Sequence, residues 1–197
     1  QPSLIHNLEL QYIAQTPWGD AVLSLWGARA VENTMLALQA FEALGFDPTK
    51  HLDALAHVKW PGRFQRLGIK QNVYLSGDHN PQGISSLLDI INDIRRFHSE
   101  QRMRFLVAIA DDKDHGAILK ALASIPNIRI ALTETPFKPT PIEHYQLSDF
   151  AVAKVIDWQE ADTSLAWTRF LKELEPGDLG IVTGSLYIIG KILELTA

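Results

Sequence analysis

The sequence predicts an α/β fold in which about six mostly parallel strands form one sheet with helices on both faces. After residue 64, apolar runs typical of strands alternate with amphipathic stretches typical of helices. The predicted strands lie near 64–68, 72–77, 103–110, 127–132, 152–156 and 179–183. The predicted helices lie near 82–98, 115–123, 159–174 and 185–195. Most of these strands are largely apolar, as expected when helices cover both sides of a sheet.

The first part of the chain shows a different pattern, which predicts a β-hairpin followed by a helix. Segments 8–14 and 20–26 alternate partly between apolar and polar residues on either side of turn residues 17–20. Apolar residues at helical spacing predict a helix over 29–44, which ends at Gly45.

A second short helix and a domain boundary follow. Asp47 as N-cap and Pro48 in the first turn predict the start of this helix. A Pro-Gly dipeptide then breaks the helical pattern. We therefore predict that residues 1–58 are the tail of a separate domain, that 59–63 are a linker, and that 64–197 form the α/β domain.

The composition narrows the classes of function. Hydrophobic residues make up 46% and charged residues 21% of the 197 residues, as in ordinary globular proteins. The net charge of -5 argues against nucleic acid as a partner. No apolar run reaches the ~18 residues that span a bilayer, so we expect no membrane contact. The lack of cysteine excludes disulfides and fits a reducing compartment such as the cytoplasm. Because the chain begins with Gln, we expect further residues before it.

The strongest chemical signal is the segment 76–81 (Ser-Gly-Asp-His-Asn-Pro) between a predicted strand and a predicted helix. Asp78 and His79 can bond ribose hydroxyls or phosphates there, and the N-terminus of the helix offers free N–H groups to an anion. A capped loop, with Asn80 as N-cap and Pro81 in the first turn, explains part of the segment equally well. That alternative gives no reason for Asp78 and His79.

Three further polar residues lie in predicted loops. Arg63, after a Trp-Pro-Gly turn, is either a surface linker residue or a phosphate ligand, because guanidinium groups bind phosphate through a planar fork of donors. Lys113, in an Asp-Asp-Lys-Asp run, belongs to a solvated helix cap or pairs with a substrate carboxylate or acyl phosphate. Ser185, after the last predicted strand, can be both an N-cap and a ligand donor.

Patterns for several other chemistries are missing from the sequence. No Gly-x-Gly-x-x-Gly fingerprint is present, which argues against a dinucleotide oxidoreductase. The run from Gly184 to Lys191 has the wrong spacing for a phosphate-binding loop. The histidines show no metal-ligand spacing, so we predict no metal ligands in this chain.

An ordered set of segments, from about residue 20 onward, resembles the folylpolyglutamate synthase / dihydrofolate synthase family of the Mur ligase superfamily. That family typically shows a Gly and an Asn where a helix opens, then WPGR, DGAHNP, DKD and TGSLY. The corresponding segments here are Gly27…Asn33, 60–63 (WPGR), 76–81 (SGDHNP), 112–114 (DKD) and 183–187 (TGSLY). The resemblance implies the Rossmann-like C-terminal domain of a Mur-type ligase, preceded by a short piece of the central ATPase domain.

The activity implied by the resemblance is the ATP-dependent joining of L-glutamate to dihydropteroate or a folate. A carboxylate of the pterin substrate attacks the γ-phosphate of ATP, and the amine of glutamate then displaces phosphate from the acyl phosphate. By similarity, Asn33 contacts adenine, Arg63 holds the nucleotide phosphates, and His79 lies near ribose and phosphate.

The same resemblance assigns Lys113, Ser185 and Tyr187 to the amino-acid pocket and makes His79 and Lys113 the candidate catalytic residues. ATP and Mg²⁺ are the implied cofactors. The family's glycine-rich ATP loop and magnesium ligands lie before the matched segments. We therefore expect the chain to contact a missing N-terminal domain and to be inactive alone.

Three positions depart from the family pattern. Ser76 replaces an aspartate and Asp78 an alanine, so a carboxylate has moved two places, which keeps the same face of a strand. Both remain candidate nucleotide ligands. Ala30 replaces a glutamine. Two alternatives stay open: a Mur-type peptidoglycan ligase for another amino acid, and a catalytically inactive binding module of the same fold.

Overall fold

A computed structural model describes residues 2–6, 9–69, 72–145 and 147–197, with side chains from residue 11 onward. Within these ranges the chain forms two sheets and six α-helices. The helices are α1 (Ala28–Ala43), α2 (Pro81–Phe97), α3 (His115–Ala123), α4 (Phe150–Val155), α5 (Thr163–Glu173) and α6 (Leu186–Leu195). The three strands that precede α1 are β1 (Pro2–His6), β2 (Glu9–Thr16) and β3 (Gly19–Leu23).

The larger sheet has six strands in the order β4-β5-β9-β6-β7-β8. These strands are β4 (Gln65–Arg66), β5 (Val73–Ser76), β6 (Met103–Val107), β7 (Ile128–Leu132), β8 (Ile156–Gln159) and β9 (Leu179–Thr183). The edge strand β4 is antiparallel to β5, and every other pairing in this sheet is parallel. The predicted six-stranded, mostly parallel sheet is therefore confirmed.

Helices cover both faces of this sheet, as the apolar strands predicted. Alternate residues of each strand point to opposite faces, so the sheet divides into two hydrophobic clusters. One face packs against α2, α3 and α4, and the other packs against α5 and α6. In β6, for example, Phe105 lies on the first face and Leu106 on the second, and both are fully buried.

Helix α2 shows how the sequence produces these elements. The side chain of Asn80 accepts a hydrogen bond of 2.8 Å from the N–H of Gly83, and Pro81 occupies the first turn. The buried side chains of α2 recur at helical spacing: Ile84, Leu87, Ile90, Ile91 and Ile94. Burial of each such side chain contributes about 1.5–3 kcal/mol of transfer free energy.

The strand predicted at 152–156 is wrong. The carboxylate of Asp149 accepts hydrogen bonds from the N–H groups of Ala151 and Val152, and this cap starts the short helix α4. The strand follows as β8, whose Trp158 pairs with β7. A β-branched apolar run could not distinguish a capped helical turn from a strand.

Two other predictions are refined. The helix predicted from 159 begins at Thr163, because Asp162 caps it through the N–H groups of Ser164 and Leu165. The connection predicted over 133–150 contains a 3-10 turn, Ile142–His144. This connection does not lie entirely on the surface as predicted, because Tyr145 is buried. Residue 146 lies outside the described residues.

The predicted hairpin corresponds to β2 and β3, which pair in antiparallel register, and β1 adds a third strand that the sequence pattern did not predict. Leu8, at the start of the predicted hairpin, lies outside the described residues. The second predicted helix is a pair of 3-10 helices, Pro48–Lys50 and Leu52–His57, with Asp47 as the N-cap of the first.

The hairpin and α1 pack directly on the larger sheet and α2. The hydroxyl of Tyr12 donates a hydrogen bond of 2.8 Å to Asp93 in α2, and burial beside that carboxylate raises the pKa of Tyr12. Trp26 packs between Tyr12 and Phe64, with ring centroids 6.0 and 5.2 Å apart. Residues on both sides of the predicted boundary thus share one hydrophobic core. The division into 1–58, 59–63 and 64–197 stays a prediction.

Among the described helices, none combines the length and hydropathy needed to cross a bilayer.

Candidate functional site

Most of the candidate residues lie at or after the carboxyl ends of three adjacent strands, β5, β9 and β6, whereas Asn33 lies in α1 and Arg63 before β4. In open α/β sheets ligands bind outside the carboxyl ends of the strands, where the N-termini of the following helices offer free N–H groups. Backbone hydrogen bonds connect these loops: Gly77 donates to Gly62 at 2.7 Å, and Gly184 donates to Asp78 at 3.0 Å. Arg63, next to Gly62, is thereby held beside the loop that follows β5.

A cavity of about 440 Å³ opens at this edge. All five residues predicted to contact the nucleotide line it: Asn33, Arg63, Ser76, Asp78 and His79. They come from three separate segments: the first two turns of α1, the turn before β4, and the end of β5 with the loop that follows it. The volume lies within the range of small-molecule sites.

Ser76 and Asp78 form one polar unit on the wall of the cavity. The Ser76 hydroxyl donates a hydrogen bond of 2.6 Å to Oδ2 of Asp78, and a guanidinium nitrogen of Arg63 lies 3.8 Å from Oδ1. Burial raises the pKa of Asp78, although Ser76 and Arg63 both favour its ionised form. The two departures from the family pattern are therefore in direct contact.

The ring of His79 has a defined hydrogen-bonding role. Its Nδ1 lies 2.9 Å from the carbonyl oxygen of Gly77, and a carbonyl oxygen can only accept. The neutral ring therefore carries its hydrogen on Nδ1 and leaves Nε2 as an acceptor. Asn80 and Pro81 act as the helix cap, as the alternative interpretation of the segment predicted.

Gly184 holds the loops after β5, β9 and β6 together. Its φ is 102°, and a Cβ atom at this position would lie 2.5 Å from the carbonyl oxygen of Ala108. The Thr183 hydroxyl and the Gly184 N–H both donate to the carbonyl oxygen of Asp78, at 3.3 and 3.0 Å. A residue without a side chain is needed for this close approach.

The residues predicted for the amino-acid pocket lie at the same edge but outside the lining of the 440 Å³ cavity. Lys113 is half-buried, with its ammonium group 3.2 Å from Asp112. Ser185 is buried and caps α6 by accepting from the N–H of Tyr187 at 3.1 Å. The exposed Tyr187 ring packs against Phe137, with centroids 5.0 Å apart. Lys113 belongs to the charged group before α3, which Asp114 caps.

Arg29 was not among the predicted site residues, yet it also lines the 440 Å³ cavity. Its guanidinium donates a hydrogen bond to the hydroxyl of Ser86 in α2, and its charge favours the ionised form of Asp78. Its spacing from Asn33 was a usable sequence signal, because residues one helical turn apart share a face of the helix.

The residues of the described part fit a nucleotide better than a metal ion. No group of three or more His, Asp or Glu side chains within 2–6, 9–69, 72–145 and 147–197 is arranged to hold a cation. The 440 Å³ cavity instead offers two guanidinium groups, a carboxylate and the N-terminus of the 17-residue helix α2.

No family model matches this chain. Among curated proteins, the dihydrofolate synthase/folylpolyglutamate synthase of Bacillus subtilis is 25% identical over 181 residues, which cover 88% of this chain and 40% of that protein. The Mycobacterium tuberculosis protein of the same name is 32% identical over 118 residues, or 55% of this chain and 23% of that protein.

Solved structures show the same fold. A Mycobacterium tuberculosis folylpolyglutamate synthase complexed with ADP matches 100% of this chain and 47% of its own, with a TM-score of 0.78 and 23% identity. An E. coli structure in complex with DHPP and ADP matches 91% of this chain and 42% of its own, with a TM-score of 0.70 and 20% identity. The chain therefore resembles folylpolyglutamate/dihydrofolate synthases over nearly all of its length and spans less than half of theirs, as expected of a C-terminal part.

Proposed function

We propose that this chain is the C-terminal part of an ATP-dependent ligase that adds L-glutamate to dihydropteroate or a folate through an acyl phosphate. The names of its relatives support a ligase of this kind. The observation that carries the proposal is that five candidate nucleotide ligands, from three separate segments, line one cavity.

In this proposal the cavity forms one wall of the nucleotide site. Arg63 binds the phosphates, because its side chain is 59% exposed and it holds Asp78 loosely, at 3.8 Å. Nε2 of His79 and the carboxylate of Asp78 accept hydrogen bonds from ribose hydroxyls. Asn33, exposed on α1, contacts the adenine edge. The solved relatives complexed with ADP support nucleotide binding by this fold.

The amino-acid pocket in this proposal lies next to the cavity, beside the loops after β6 and β9. Lys113 pairs with a carboxylate of glutamate and offsets negative charge that develops on the acyl phosphate. Ser185 and Tyr187 line the same pocket. During the reaction the substrate carboxylate bonds to the γ-phosphorus as ADP leaves, and the glutamate amine then forms the amide as phosphate leaves.

In this proposal the magnesium ligands lie in the domain that precedes this chain in the complete protein. A relative from Yersinia pestis was solved with AMPPNP and a Mn ion, which supports the use of a divalent metal by the family. Since the described residues gather no metal-binding group, none of them is assigned to the ion. We propose that the missing N-terminal domain supplies these ligands, closes the cleft and is required for catalysis.

The nucleotide part of the proposal is tested by titrating ADP into the 197-residue chain with isothermal calorimetry. We expect weak binding, with a dissociation constant that rises about tenfold in Arg63→Gln, because a hydrogen bond to a charged group is lost. Asn33→Ala should also weaken binding. Arg129→Gln, on the far side of the sheet domain, is the matched control. Equal affinities for the chain, Arg63→Gln and Asn33→Ala would refute the nucleotide site.

The reaction itself is tested with the complete gene product that contains this chain. Incorporation of radiolabelled glutamate into dihydropteroate or tetrahydrofolate should require ATP and should fall at least tenfold in Lys113→Met. Competition by other amino acids would identify a Mur-type ligase. No amide product at saturating ATP, despite ADP binding, would favour a binding module. Hydrolysis of ATP by the 197-residue chain alone would contradict its proposed dependence on the missing domain.

A further inference from the structure

A long connection follows β7, and the proposed function assigns no role to it. We call its residues 133–145 the strap. The strap runs beside the loop after β6, residues 110–115, which carries Lys113. The N–H of Asp111 in this loop donates a hydrogen bond of 3.2 Å to the carbonyl oxygen of Lys138 in the strap. The loop that carries Lys113 is therefore held by the strap as well as by β6 and α3.

His115, the first residue of α3, makes a side-chain contact between the loop and the strap. Its Nε2 lies 3.0 Å from the carbonyl oxygen of Ala110 and 3.0 Å from the hydroxyl oxygen of Thr140 in the strap. A carbonyl oxygen can only accept, so the ring carries a hydrogen on Nε2 and donates it. Thr140 is buried, so the packing around it limits the movement of its hydroxyl group. The imidazole of His115 thus joins the start of the loop to the strap.

The imidazole of His115 packs against a second fixed ring, that of Tyr145. The two rings meet edge to face, with centroids 5.7 Å apart. Tyr145 is buried, and its hydroxyl accepts from the N–H of Ile109 at 2.9 Å and donates to the carbonyl oxygen of Thr133 at 3.3 Å. Packing and hydrogen bonds therefore fix the position of the imidazole before any ligand arrives.

The contacts of His115 reach the backbone of Lys113 from both sides. Two donors converge on the carbonyl oxygen of Ala110, namely Nε2 of His115 and, at 3.1 Å, the N–H of Lys113. The N–H of His115 in turn donates to the carbonyl oxygen of Lys113 at 3.0 Å. The lysine side chain is less restricted, because it is 32% exposed and its ammonium group lies 3.2 Å from Asp112.

We propose that His115 is a positioning residue, which holds the backbone of Lys113 where the lysine ammonium group can pair with a carboxylate of glutamate. The inference rests on the proposed function, in which Lys113 binds glutamate, and His115 itself touches no substrate. Displacement of a binding group by about 1 Å can lower a rate by about a hundredfold. Because His115 does not line the nucleotide cavity, its loss should affect the use of glutamate and leave the use of ATP unchanged.

The contact itself is tested in the 197-residue chain by amide hydrogen exchange followed by NMR. His115→Ala should speed exchange at the N–H of Lys113 about tenfold, because it removes a hydrogen bond that fixes the loop. His115→Gln keeps a side-chain N–H donor and should change this rate by less than about threefold. The N–H of Leu165, bonded to Asp162 in α5, is the internal reference. Unchanged exchange at Lys113 in His115→Ala would overturn the proposal.

The effect on the reaction is measured with the complete gene product. His115→Ala should raise the KM for glutamate about five- to tenfold and change the KM for ATP by less than about twofold. His115→Gln should restore most of the glutamate affinity. Thr140→Val, which removes the hydroxyl at nearly constant volume, should act in the same direction as His115→Ala. His144→Ala is the matched control, because it removes an exposed imidazole from the same strap. Circular dichroism confirms that each variant is folded.

A double-variant cycle separates positioning from a general loss of structure. If His115 acts through Lys113, His115→Ala should not raise the KM for glutamate further in a Lys113→Met background. Equal effects of His115→Ala in both backgrounds would overturn the proposal. A defective Lys113→Met beside an unimpaired His115→Ala would overturn the positioning role and leave the proposed function intact. Unchanged use of glutamate in Lys113→Met would refute the proposed role of Lys113, and this inference with it.

Discussion

At the amino ends of the parallel strands Asp178 lies between two arginines, whereas at their carboxyl ends Asp78 faces one arginine across a cavity. Arg102 and Arg104 approach Asp178 at 2.9 and 3.1 Å, and its side chain is 1% exposed. Arg63 stays 3.8 Å from Asp78 and remains mostly exposed. At the amino edge the aspartate and the two arginines bind one another, whereas at the carboxyl edge Asp78 and Arg63 face a cavity that a ligand can enter.

The difference shows how a charged residue can be sorted into structural or functional roles. Oδ2 of Asp178 also accepts from the N–H of Glu175, while Oδ1 is held only by its ion pair with Arg102, at 2.9 Å. Asp78 receives one side-chain hydrogen bond, from Ser76, and burial raises its pKa. Groups with perturbed protonation inside a cavity are candidates for function, whereas closed ion-pair networks are candidates for stability.

The largest expected effect follows from breaking the amino-edge network. Asp178→Ala removes the buried negative charge that neutralises Arg104, and it removes the acceptor for the Glu175 N–H. The free energy of unfolding should therefore fall by about 3 kcal/mol. Urea unfolding of the 197-residue chain measures this. The control is Asp157→Ala, which removes a more exposed partner of Arg104 and should cost less than about 1 kcal/mol. Similar costs for the two variants would contradict a buried structural role for Asp178.

A smaller effect is expected at the cap of α6. Ser185→Ala removes the side-chain acceptor for the Tyr187 N–H, which should lower the free energy of unfolding by about 1 kcal/mol. Ser185→Thr keeps a hydroxyl and should lower it by less. Thermal unfolding followed by circular dichroism compares the two variants. If Ser185→Ala and Ser185→Thr had equal thermal stability, the hydroxyl of Ser185 would have no capping role. Its only role at the carboxyl edge would then be ligand binding.

The smallest effect concerns the pH dependence of Asp78. Because its pKa is higher in the folded chain, the folded state binds a proton more tightly, so its contribution to stability is present at low pH and is lost as pH rises. The loss should begin near the ordinary value of 3.8 and be complete above the raised value. Asp78→Asn should therefore gain stability relative to the parent chain as pH increases through this window. Urea unfolding between pH 4 and pH 8 measures the difference, and a constant difference would contradict the raised pKa.

Much of the fold was predictable because its signals are local. Apolar strands, the Asn80 cap and the alternation of strands and helices gave the sheet and most helices. The strand predicted at 152–156 failed because a short, largely apolar segment fits a helix or a strand equally well until the helix cap at Asp149 is recognised. The packing of Trp26 against Phe64 was not predictable, since it joins segments separated in sequence.

The sequence predicted which residues belong to the candidate site, but it did not predict which of them contact one another. The spacing of Ser76 and Asp78 suggested a shared face, and the structure adds a hydrogen bond between them. The spacing of Arg29 and Asn33 on α1 was a usable signal for a shared face, but no sequence pattern indicated that Lys59 and Arg66 line a neighbouring cavity. Such groupings depend on how the hairpin and linker pack against β5, which is a property of the folded chain.

The position of β9 constrains the order of events during synthesis. This strand lies between β5 and β6, so before residues 179–183 emerge from the ribosome, the strands already made belong to two unconnected groups, β4-β5 and β6-β7-β8. Each group would expose an unpaired edge that can pair with another chain. A nascent polypeptide of this protein should therefore need its greatest protection from chaperones until β9 has emerged and can pair with both groups.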